Sequence, residues 1–378
     1  MEFLTAIQEK WCEDRRGEAI SLLKALAAIP APSHYEDRRA AFVRDWLISN
    51  GAQGVYIDPA KNVLFPIGIT ENNPIAVIMA HTDVVFPDTE NFEVTEKDGC
   101  LYAPGIGDDT ANLTALLMAA KYVSENRLSS DTGVLIAANA CEEGLGNLKG
   151  SLQIMNDFRG RVKEMISIDG GLTEVVNKAV GSVRMKITVH AEGGHSYGDF
   201  GNTNAIEQMA QIITRLYQKT PPNKAKTTYN VGVIEGGTTV NSIAGECSVL
   251  YEYRSENREC LREMDDFFQA VIEGFRAEGV NISVEVLGMR PCTGDVDENA
   301  LCDLTNRMKR IMNRYTGNDV AEASGSTDAN AALSQGVPGV TIGAIEGGGA
   351  HTRGEWIRTD SLLTGQKIAL NAVLSYLA

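Results

Sequence analysis

The pattern of hydrophobic and polar residues changes twice along the chain. Over the first 179 residues, short apolar runs that are typical of buried strands alternate with segments of helical periodicity. Strands are predicted near 54–57, 62–67, 75–80, 133–139 and 164–168, and helices near 3–29, 36–51, 110–127 and 147–158. Such alternation favours an α/β domain built on a mostly parallel sheet.

A different pattern begins near residue 180. Strands are predicted at 183–190, 227–234, 246–254 and 282–287, and helices at 204–218 and 258–278. The order β-α-β-β-α-β is typical of a ferredoxin-like α+β sandwich. Patterns of α/β type resume near Glu298 and end in a helix at 362–377. We therefore predict a discontinuous α/β domain, 1–179 and 292–378, which carries an inserted α+β domain at 180–291.

Charge and cysteine content exclude several classes of protein. The chain has 34 basic and 50 acidic residues and a net charge of −16, which argues against nucleic acid or an anionic membrane as a partner. Its seven cysteines lack a CxxC spacing, so neither a disulfide framework nor a cysteine-zinc module is indicated. Neither a signal peptide nor an apolar run of membrane-spanning length is recognisable, and a cytoplasmic location is expected.

Acidic residues and histidines follow several of the apolar runs. His81-Thr82-Asp83 directly follows the predicted strand at 75–80. Because ligand sites of α/β sheets lie at the carboxyl ends of the strands, these side chains are candidates for one common site. Histidine nitrogen and carboxylate oxygen, without cysteine, favour a catalytic site for zinc, cobalt or manganese. The candidate metal ligands are His81, Asp108, Glu143, Asp169 and His351.

Five ligands of this kind suit two divalent ions that share one carboxylate, with room for a bridging water. Adjacent side chains point in different directions, so Glu143 can hold a metal while Glu142 stays free as a general base. Taken singly, each motif also has a plainer interpretation. His81-Thr82-Asp83 could be a packing coincidence, Glu142-Glu143 a solvated acidic turn, and Asp169 a turn residue beside two glycines.

As an ordered set, these motifs resemble those of the M20 metallopeptidases, from about residue 20 to the C-terminus. That family includes tripeptidase T-like aminopeptidases, dipeptidases, glutamate carboxypeptidases and amino-acid deacylases. The chain departs from the family pattern at Asp109-Thr110, where many members have a lysine at the second position. The motifs are His81-x-Asp83, Gly107-Asp108-Asp109, Glu142-Glu143-Gly144, Asp169, Gly194-His195-Ser196, Asn241-Ser242, Arg254 and His351.

The resemblance implies a role for each residue of the first domain. Asp108 would bridge two metals, with a cis peptide bond to Asp109. Asp83 would orient His81, and Glu142 would be the general base and later the proton donor. His81 and Asp169 would complete one metal site, and Glu143 and His351 the other.

The resemblance also implies roles for the inserted domain, as a lid that mediates dimerisation. His195 would stabilise the oxyanion in the active site of a partner subunit, and Asn241 and Arg254 would bind substrate. A homodimer follows if His195 has this role. Alternatively, His195 is a turn histidine and Arg254 forms an ion pair at the end of a strand. Ser326-Thr327-Asp328 either caps a helix or lines the substrate pocket.

The expected function is hydrolysis of amide bonds in small peptides by an exopeptidase of tripeptidase or dipeptidase type. Two divalent metal ions per subunit, zinc or otherwise cobalt or manganese, would serve as cofactors. An N-acyl-amino-acid deacylase resembling acetylornithine deacetylase is the alternative with the same chemistry. A non-catalytic binding protein on the same fold would require damage to the ligand set or the base.

Overall fold

The computed structural model describes residues 3–130 and 132–377, so the expected outer domain ends at 1 and 378 lie outside the described residues. The chain folds into two compact units. One combines the chain up to Ala179 with the chain from Gly294 onwards, and the other is Val180–Thr293. The first is called the main unit below, and the second the inserted unit.

The first segment of the main unit alternates helices and strands. The helix expected at 3–29 is in fact two helices, because the chain leaves helical geometry at Arg15. The elements of this first segment are α1 (Ala6–Asp14), α2 (Arg16–Ala27), α3 (Asp37–Ser49), β1 (Tyr56–Ile57), β2 (Val63–Ile67), β3 (Ile75–His81), β4 (Thr95–Lys97), β5 (Cys100–Tyr102), α4 (Asn112–Asn126), β6 (Gly133–Asn139), α5 (Lys149–Asp157), β7 (Val162–Ile168) and β8 (Glu174–Ala179).

The remaining elements belong to the inserted unit and to the last segment of the main unit. The inserted unit contains β9 (Gly181–His190), β10 (Gly194–His195), α6 (Ala205–Leu216), β11 (Thr227–Gly236), β12 (Ser242–Ile243), β13 (Glu246–Ser255), α7 (Arg258–Ala277) and β14 (Asn281–Arg290). The last segment contains α8 (Glu298–Thr316), β15 (Ala321–Gly325), α9 (Ala329–Ser334), β16 (Gly339–Ile342), β17 (Gly347–Gly348), β18 (Trp356–Arg358) and α10 (Ser361–Leu374).

An eight-stranded sheet forms the centre of the main unit, in the order β1-β2-β6-β3-β7-β16-β8-β15. Its central strands β6, β3, β7 and β16 are parallel, while β2 and β8 join them antiparallel. Every residue of β3 and β6 is buried, as expected for strands covered by helices on both faces. The α/β fold with a mostly parallel sheet is therefore confirmed.

The parallel strands end at one edge of the sheet. His81 is the last residue of β3, and it pairs with Asn139, the last residue of β6. Asp169 comes directly after β7 and donates its backbone N–H to the carbonyl of Ile342 at the end of β16. The fold thus brings residues from three distant parts of the chain to this edge, as in other α/β sheets.

A small second sheet in the main unit has the order β17-β18-β5-β4. Its strands span only two or three residues, which is too short for a clear period-two pattern, so they were not predicted from the sequence. The strand β8 was also missed. The small sheet joins the chain before Asp108 to the chain after His351.

The inserted unit has a four-stranded antiparallel sheet in the order β11-β13-β9-β14. Its core lies between this sheet and the two helices α6 and α7, where residues such as Ile187, Met209 and Phe268 are buried. Element order and strand order together are those of a ferredoxin-like sandwich. Among the described helices of both units, none is long and apolar enough to cross a bilayer.

Candidate metal centre

Two groups of potential metal ligands meet at the carboxyl edge of the central sheet. His81, Asp108 and Asp169 form one group, and Asp108, Glu143 and His351 form the other. Within each group, the ligand atoms lie within 4.8 Å of one another. The structure therefore brings all five predicted ligands together, with Asp108 common to both groups.

Asp108 lies between the two histidines. His81 Nε2 is 3.1 Å from Asp108 Oδ1, and His351 Nε2 is 3.1 Å from Asp108 Oδ2. His351 Nε2 also lies 3.3 Å from Glu143 Oε1. Each carboxylate oxygen of Asp108 thus faces a different imidazole, which is the arrangement that a bridging ligand requires.

The electrostatics of the cluster are those of a cation site. Hydrogen bonds to Asp108 and Glu143 raise the pKa of His351 to about 10. Burial and the neighbouring charge of Asp108 raise the pKa of Asp169 to about 7. Burial lowers the pKa of His81, but the charge of Asp109 and the hydrogen bond to Asp108 outweigh it and raise this pKa well above 6.5. Converging carboxylates thus raise the pKa of both imidazoles, and bound metal cations would supply the positive charge that these carboxylates attract.

The donor set fits two divalent ions. Imidazole nitrogens and carboxylate oxygens are the ligands of zinc, cobalt and manganese, and one carboxylate is shared. The two sides differ in exposure: the side chain of His81 is fully buried, whereas that of His351 is 58% exposed. The candidate centre therefore opens towards solvent on the His351 side.

Asp83 contacts more groups than His81 alone. Its backbone carbonyl lies 3.0 Å from His81 Nδ1, while its carboxylate is 3.5 Å from the same nitrogen. The carboxylate oxygens accept hydrogen bonds from the backbone N–H groups of Glu142 and Glu143, at 2.9 Å each. Ser33 donates to the same carboxylate at 2.6 Å. Asp83 therefore connects the end of β3 to the loop that carries Glu142 and Glu143.

Asp108 lies in a π-helical turn, Ile106–Ala111, that precedes α4, and its own φ of −108° and ψ of 89° are not helical. The predicted cis peptide bond between Asp108 and Asp109 is confirmed. The turn begins at Gly105, which has φ of 69°, and a Cβ there would lie 2.2 Å from a methyl carbon of Val84. Only glycine fits this position without displacing its neighbour.

Glu355, from near the C-terminal end of the chain, binds the backbone of this turn and was not identified from the sequence. One of its oxygens accepts the N–H groups of Gly107 and Asp108, at 2.6 and 2.8 Å, and the other accepts that of Gly105 at 3.1 Å. Burial raises the pKa of Glu355 to about 7. Glu355 is thus a buried acceptor for backbone groups that helical hydrogen bonds cannot reach.

Arg39 was also not identified from the sequence. It places a positive charge near Thr110, where many members of the family have a lysine. Its side chain is completely buried, and its guanidinium donates to the carbonyl of Thr82 at 2.8 Å and to Thr110 Oγ1 at 3.3 Å. It also donates to the carbonyl of Ile29. Burial lowers the pKa of Arg39 to about 10, so it remains charged at neutral pH. A cation is therefore present beside Thr110, the position where many relatives carry lysine, but it comes from α3.

In the Ser326-Thr327-Asp328 segment, Thr327 caps a helix and Asp328 does not. Thr327 Oγ1 accepts a hydrogen bond from the N–H of Ala329, in the first turn of α9, as expected of a cap. The side chain of Asp328 makes no capping bond; it is buried and accepts a hydrogen bond of 2.7 Å from Asn139.

In the inserted unit, His195 and Asn241 are neighbours. His195 pairs with Ser242 between β10 and β12, and the N–H of Ser196 donates to the carbonyl of Asn241 at 3.0 Å. The ring atom Nδ1 of His195 accepts hydrogen bonds from the N–H groups of Tyr197 and Gly198, at 3.2 and 3.1 Å. The neutral ring consequently carries its proton on Nε2, where it can be donated to a ligand.

Arg254 makes a two-pronged ion pair within its own strand. Its Nε and Nη2 atoms lie 3.0 and 2.9 Å from the two carboxylate oxygens of Glu252. The ion pair that the sequence left open as an alternative is thus present. Binding of a substrate carboxylate by Arg254 would require exchange with Glu252.

Comparison with known proteins identifies a family whose model matches most of this chain. The model of "Peptidase family M20/M25/M40" matches residues 77–375. The chain is 25% identical over 362 residues to a succinyl-diaminopimelate desuccinylase of Corynebacterium glutamicum, which covers 90% of this chain and 92% of the relative. The family resemblance inferred from the ordered motifs is therefore confirmed.

Solved structures share the fold at low sequence identity. A tripeptidase from Staphylococcus aureus matches with a TM-score of 0.73 and 21% identity, over 95% of this chain and 98% of its own. A dinuclear metal-binding M20 peptidase from Bacillus subtilis matches with a TM-score of 0.65 and 17% identity, over 96% and 99% of the two chains. At such identities the likeness establishes the fold alone.

Proposed function

Because the chain belongs to peptidase family M20/M25/M40, and so is a hydrolase, we propose that it removes a terminal residue from small peptides with the help of two divalent metal ions. The observation that carries this proposal is the convergence of His81, Asp108, Asp169, Glu143 and His351 on one centre with Asp108 shared. Such a centre polarises an amide carbonyl and lowers the pKa of water when divalent cations are bound. Zinc is the proposed metal, and cobalt or manganese would suit the same donors.

Glu142 is the proposed general base. It is 95% buried, and its backbone N–H donates to Asp83, so its side chain extends from the same anchored loop as the candidate ligand Glu143. Glu142 accepts a proton from the attacking water, whose oxygen bonds to the amide carbon. It then donates that proton to the leaving nitrogen as the carbon–nitrogen bond breaks.

His195 is the proposed donor to the oxyanion, supplied by a second copy of the chain in a homodimer. The hydrogen bonds that Nδ1 accepts support this role, because they leave the Nε2 proton available for a negatively charged oxygen. Asn241, adjacent to His195, and Arg254 are proposed to bind substrate. The inserted unit would accordingly act as a lid and dimerisation domain. All seven cysteines are free, which supports a cytoplasmic location.

Deacylation of an N-acyl amino acid is the second candidate function. The relative from C. glutamicum, a desuccinylase that aligns with 90% of this chain, favours it. The site chemistry is the same for both substrates, since each presents an amide carbonyl to the base. The two kinds of substrate differ in the chemical groups on either side of the scissile bond.

A substrate screen tests both functions. The protein, supplied separately with zinc, cobalt and manganese, is incubated with di- and tripeptides and with N-acetyl and N-succinyl amino acids, and products are identified by mass spectrometry. We expect release of single residues from unblocked peptides. If only the N-acyl compounds are cleaved, the protein is a deacylase and not a peptidase.

Glu142→Gln tests the mechanism in the same assay. We expect kcat to fall by about 10²–10⁴-fold, the usual contribution of a general base, with the metal content unchanged. Glu346→Gln, at an exposed carboxylate that pairs with Arg358, is the control and should retain full activity. Metal bound at full stoichiometry without turnover of any substrate by the unaltered protein would indicate a binding protein instead.

A further inference from the structure

An apolar cleft opens directly beside the candidate metal centre, within the main unit. Its volume is about 490 Å³. It is lined in part by Glu143, so a group held in it would lie beside one of the candidate ligands. The residues that define the apolar cleft are Pro32, Tyr35, Val85, Pro87 and Leu145.

Three of the large apolar side chains that line this cleft are exposed. The exposed fraction is 71% for Tyr35, 54% for Leu145 and 37% for Val85. Single exposed apolar residues need no explanation, but a group of them around a concave surface beside an active centre indicates a binding site. These residues are therefore candidates for contact with the substrate.

Three chain segments form the cleft, and hydrogen bonds hold them in place. Val84 donates its N–H to the carbonyl of Ala31 at 2.9 Å, which ties the 84–89 segment to the 32–35 segment. The hydroxyl of Ser33 lies 3.3 Å from the carbonyl of Glu143, and His34 Nε2 lies 3.3 Å from the carbonyl of Leu145. The cleft is preformed, so little ordering is needed when a ligand binds.

Charged groups near the cleft are already paired. Lys61 lies 5.9 Å from the centre of the Tyr35 ring, and its ammonium group is 2.6 Å from the carboxylate of Asp37. Asp88 forms an ion pair of 2.8 Å with Arg353. Among the described residues that line the cleft, Glu143 is the charged one, and it belongs to the candidate metal centre. The cleft therefore offers little to a charged side chain.

We propose that the apolar cleft binds an aliphatic or aromatic side chain of the substrate residue that flanks the scissile amide bond. This specificity rests on the proposed function, because it assumes that an amide substrate reaches the metal centre. Moving an aliphatic or aromatic side chain from water into such a cleft favours binding by about 10- to 100-fold. A lysine or aspartate side chain would gain no such contact and would lose hydration.

Turnover of matched substrates tests the proposal. Dipeptides and N-acetyl amino acids are compared that differ only in carrying leucine, phenylalanine, lysine or aspartate beside the scissile bond. The unaltered protein should favour leucine and phenylalanine in kcat/KM by about 10- to 100-fold. Leu145→Lys should lower that preference at least tenfold and improve the relative rate with aspartate. Ile48→Lys, which adds the same charge at a similarly exposed aliphatic residue on α3, should leave the preference unchanged.

Binding to metal-loaded Glu142→Gln protein separates this proposal from the proposed function. Dissociation constants for the same leucine, lysine and aspartate compounds are measured by calorimetry, with and without Leu145→Lys. Tighter binding of the leucine compounds that Leu145→Lys abolishes would support the cleft even if no compound were hydrolysed. Equal binding of all three compounds, or the same selectivity in Leu145→Lys and Ile48→Lys, would overturn it.

Discussion

Individual side chains at this centre act through backbone groups as much as through each other. Asp83 accepts the N–H groups of Glu142 and Glu143, Glu355 accepts three N–H groups around Asp108, and Arg39 donates to two carbonyls. Buried ionised groups are costly unless they are fully hydrogen-bonded. Their presence here indicates that the loops around the centre depend on them.

Arg39→Met tests this dependence at the residue scale. The change leaves the carbonyls of Ile29 and Thr82 without their donor in a buried position, so we expect a loss of about 3 kcal/mol in the free energy of unfolding. Denaturant titration followed by circular dichroism measures it. Arg38→Met removes hydrogen bonds to Thr89 and Asn91 at the exposed neighbouring position, and should cost less than about 1 kcal/mol. Equal losses in both variants would contradict the structural role of Arg39.

The sequence predicted the candidate ligands and the neighbouring Asp83, but not Arg39 and Glu355, which support the loops around them. His81, Asp108, Glu143 and His351 fall in short motifs whose order is informative. Arg39 and Glu355 lie outside those motifs, and Glu355 is 247 residues away from Asp108 in the chain. No local pattern distinguishes a buried arginine or glutamate on a polar helix or loop from a solvated one, so their roles emerge only in the folded structure.

At the scale of elements, long periodic segments were predicted best, whereas the shortest strands and the six-residue β8 were missed. The buried run of β3 and the 20-residue amphipathic helix α7 were predicted within a residue at most of their observed ends. The helices α1 and α2 were predicted as one, although the stretch between Cys12 and Ala19 contains Gly17 and no apolar residue. The strands β4, β5, β17 and β18 were missed because a period of two needs more than three residues to be recognised.

Glu355→Ala tests the link between the small sheet and the turn that carries Asp108. Three buried N–H groups would lose their acceptor, so we expect metal affinity to fall by about 10- to 100-fold, as for other supporting residues of metal sites. Competition with a chromogenic chelator measures this affinity. Glu346→Ala, at an exposed glutamate that precedes β17, is the matched control and should bind metal normally. Unchanged affinity in Glu355→Ala would show that the turn is stable without this acceptor.

For the whole molecule, metal binding should contribute to the stability of the main unit. The candidate ligands come from segments that span residues 81 to 351, and so a bound cation would connect distant parts of the chain. A cation present at 100 times its dissociation constant stabilises the folded state by about 2.7 kcal/mol. We therefore expect chelation to lower the Tm measured by scanning calorimetry, and zinc to restore it. A Tm that is independent of chelator would argue against a metal site in the folded protein.

The unequal exposure of the two histidines has a consequence for how the protein gains and loses its ions. His81 is fully enclosed, whereas more than half of the His351 side chain faces water. An ion on the His351 side should therefore exchange quickly, and one on the His81 side slowly, although Asp108 would serve both sides. We expect protein dialysed against metal-free buffer to pass through a long-lived form with a single ion per chain. The metal content measured for a preparation should therefore depend on how it was purified and dialysed.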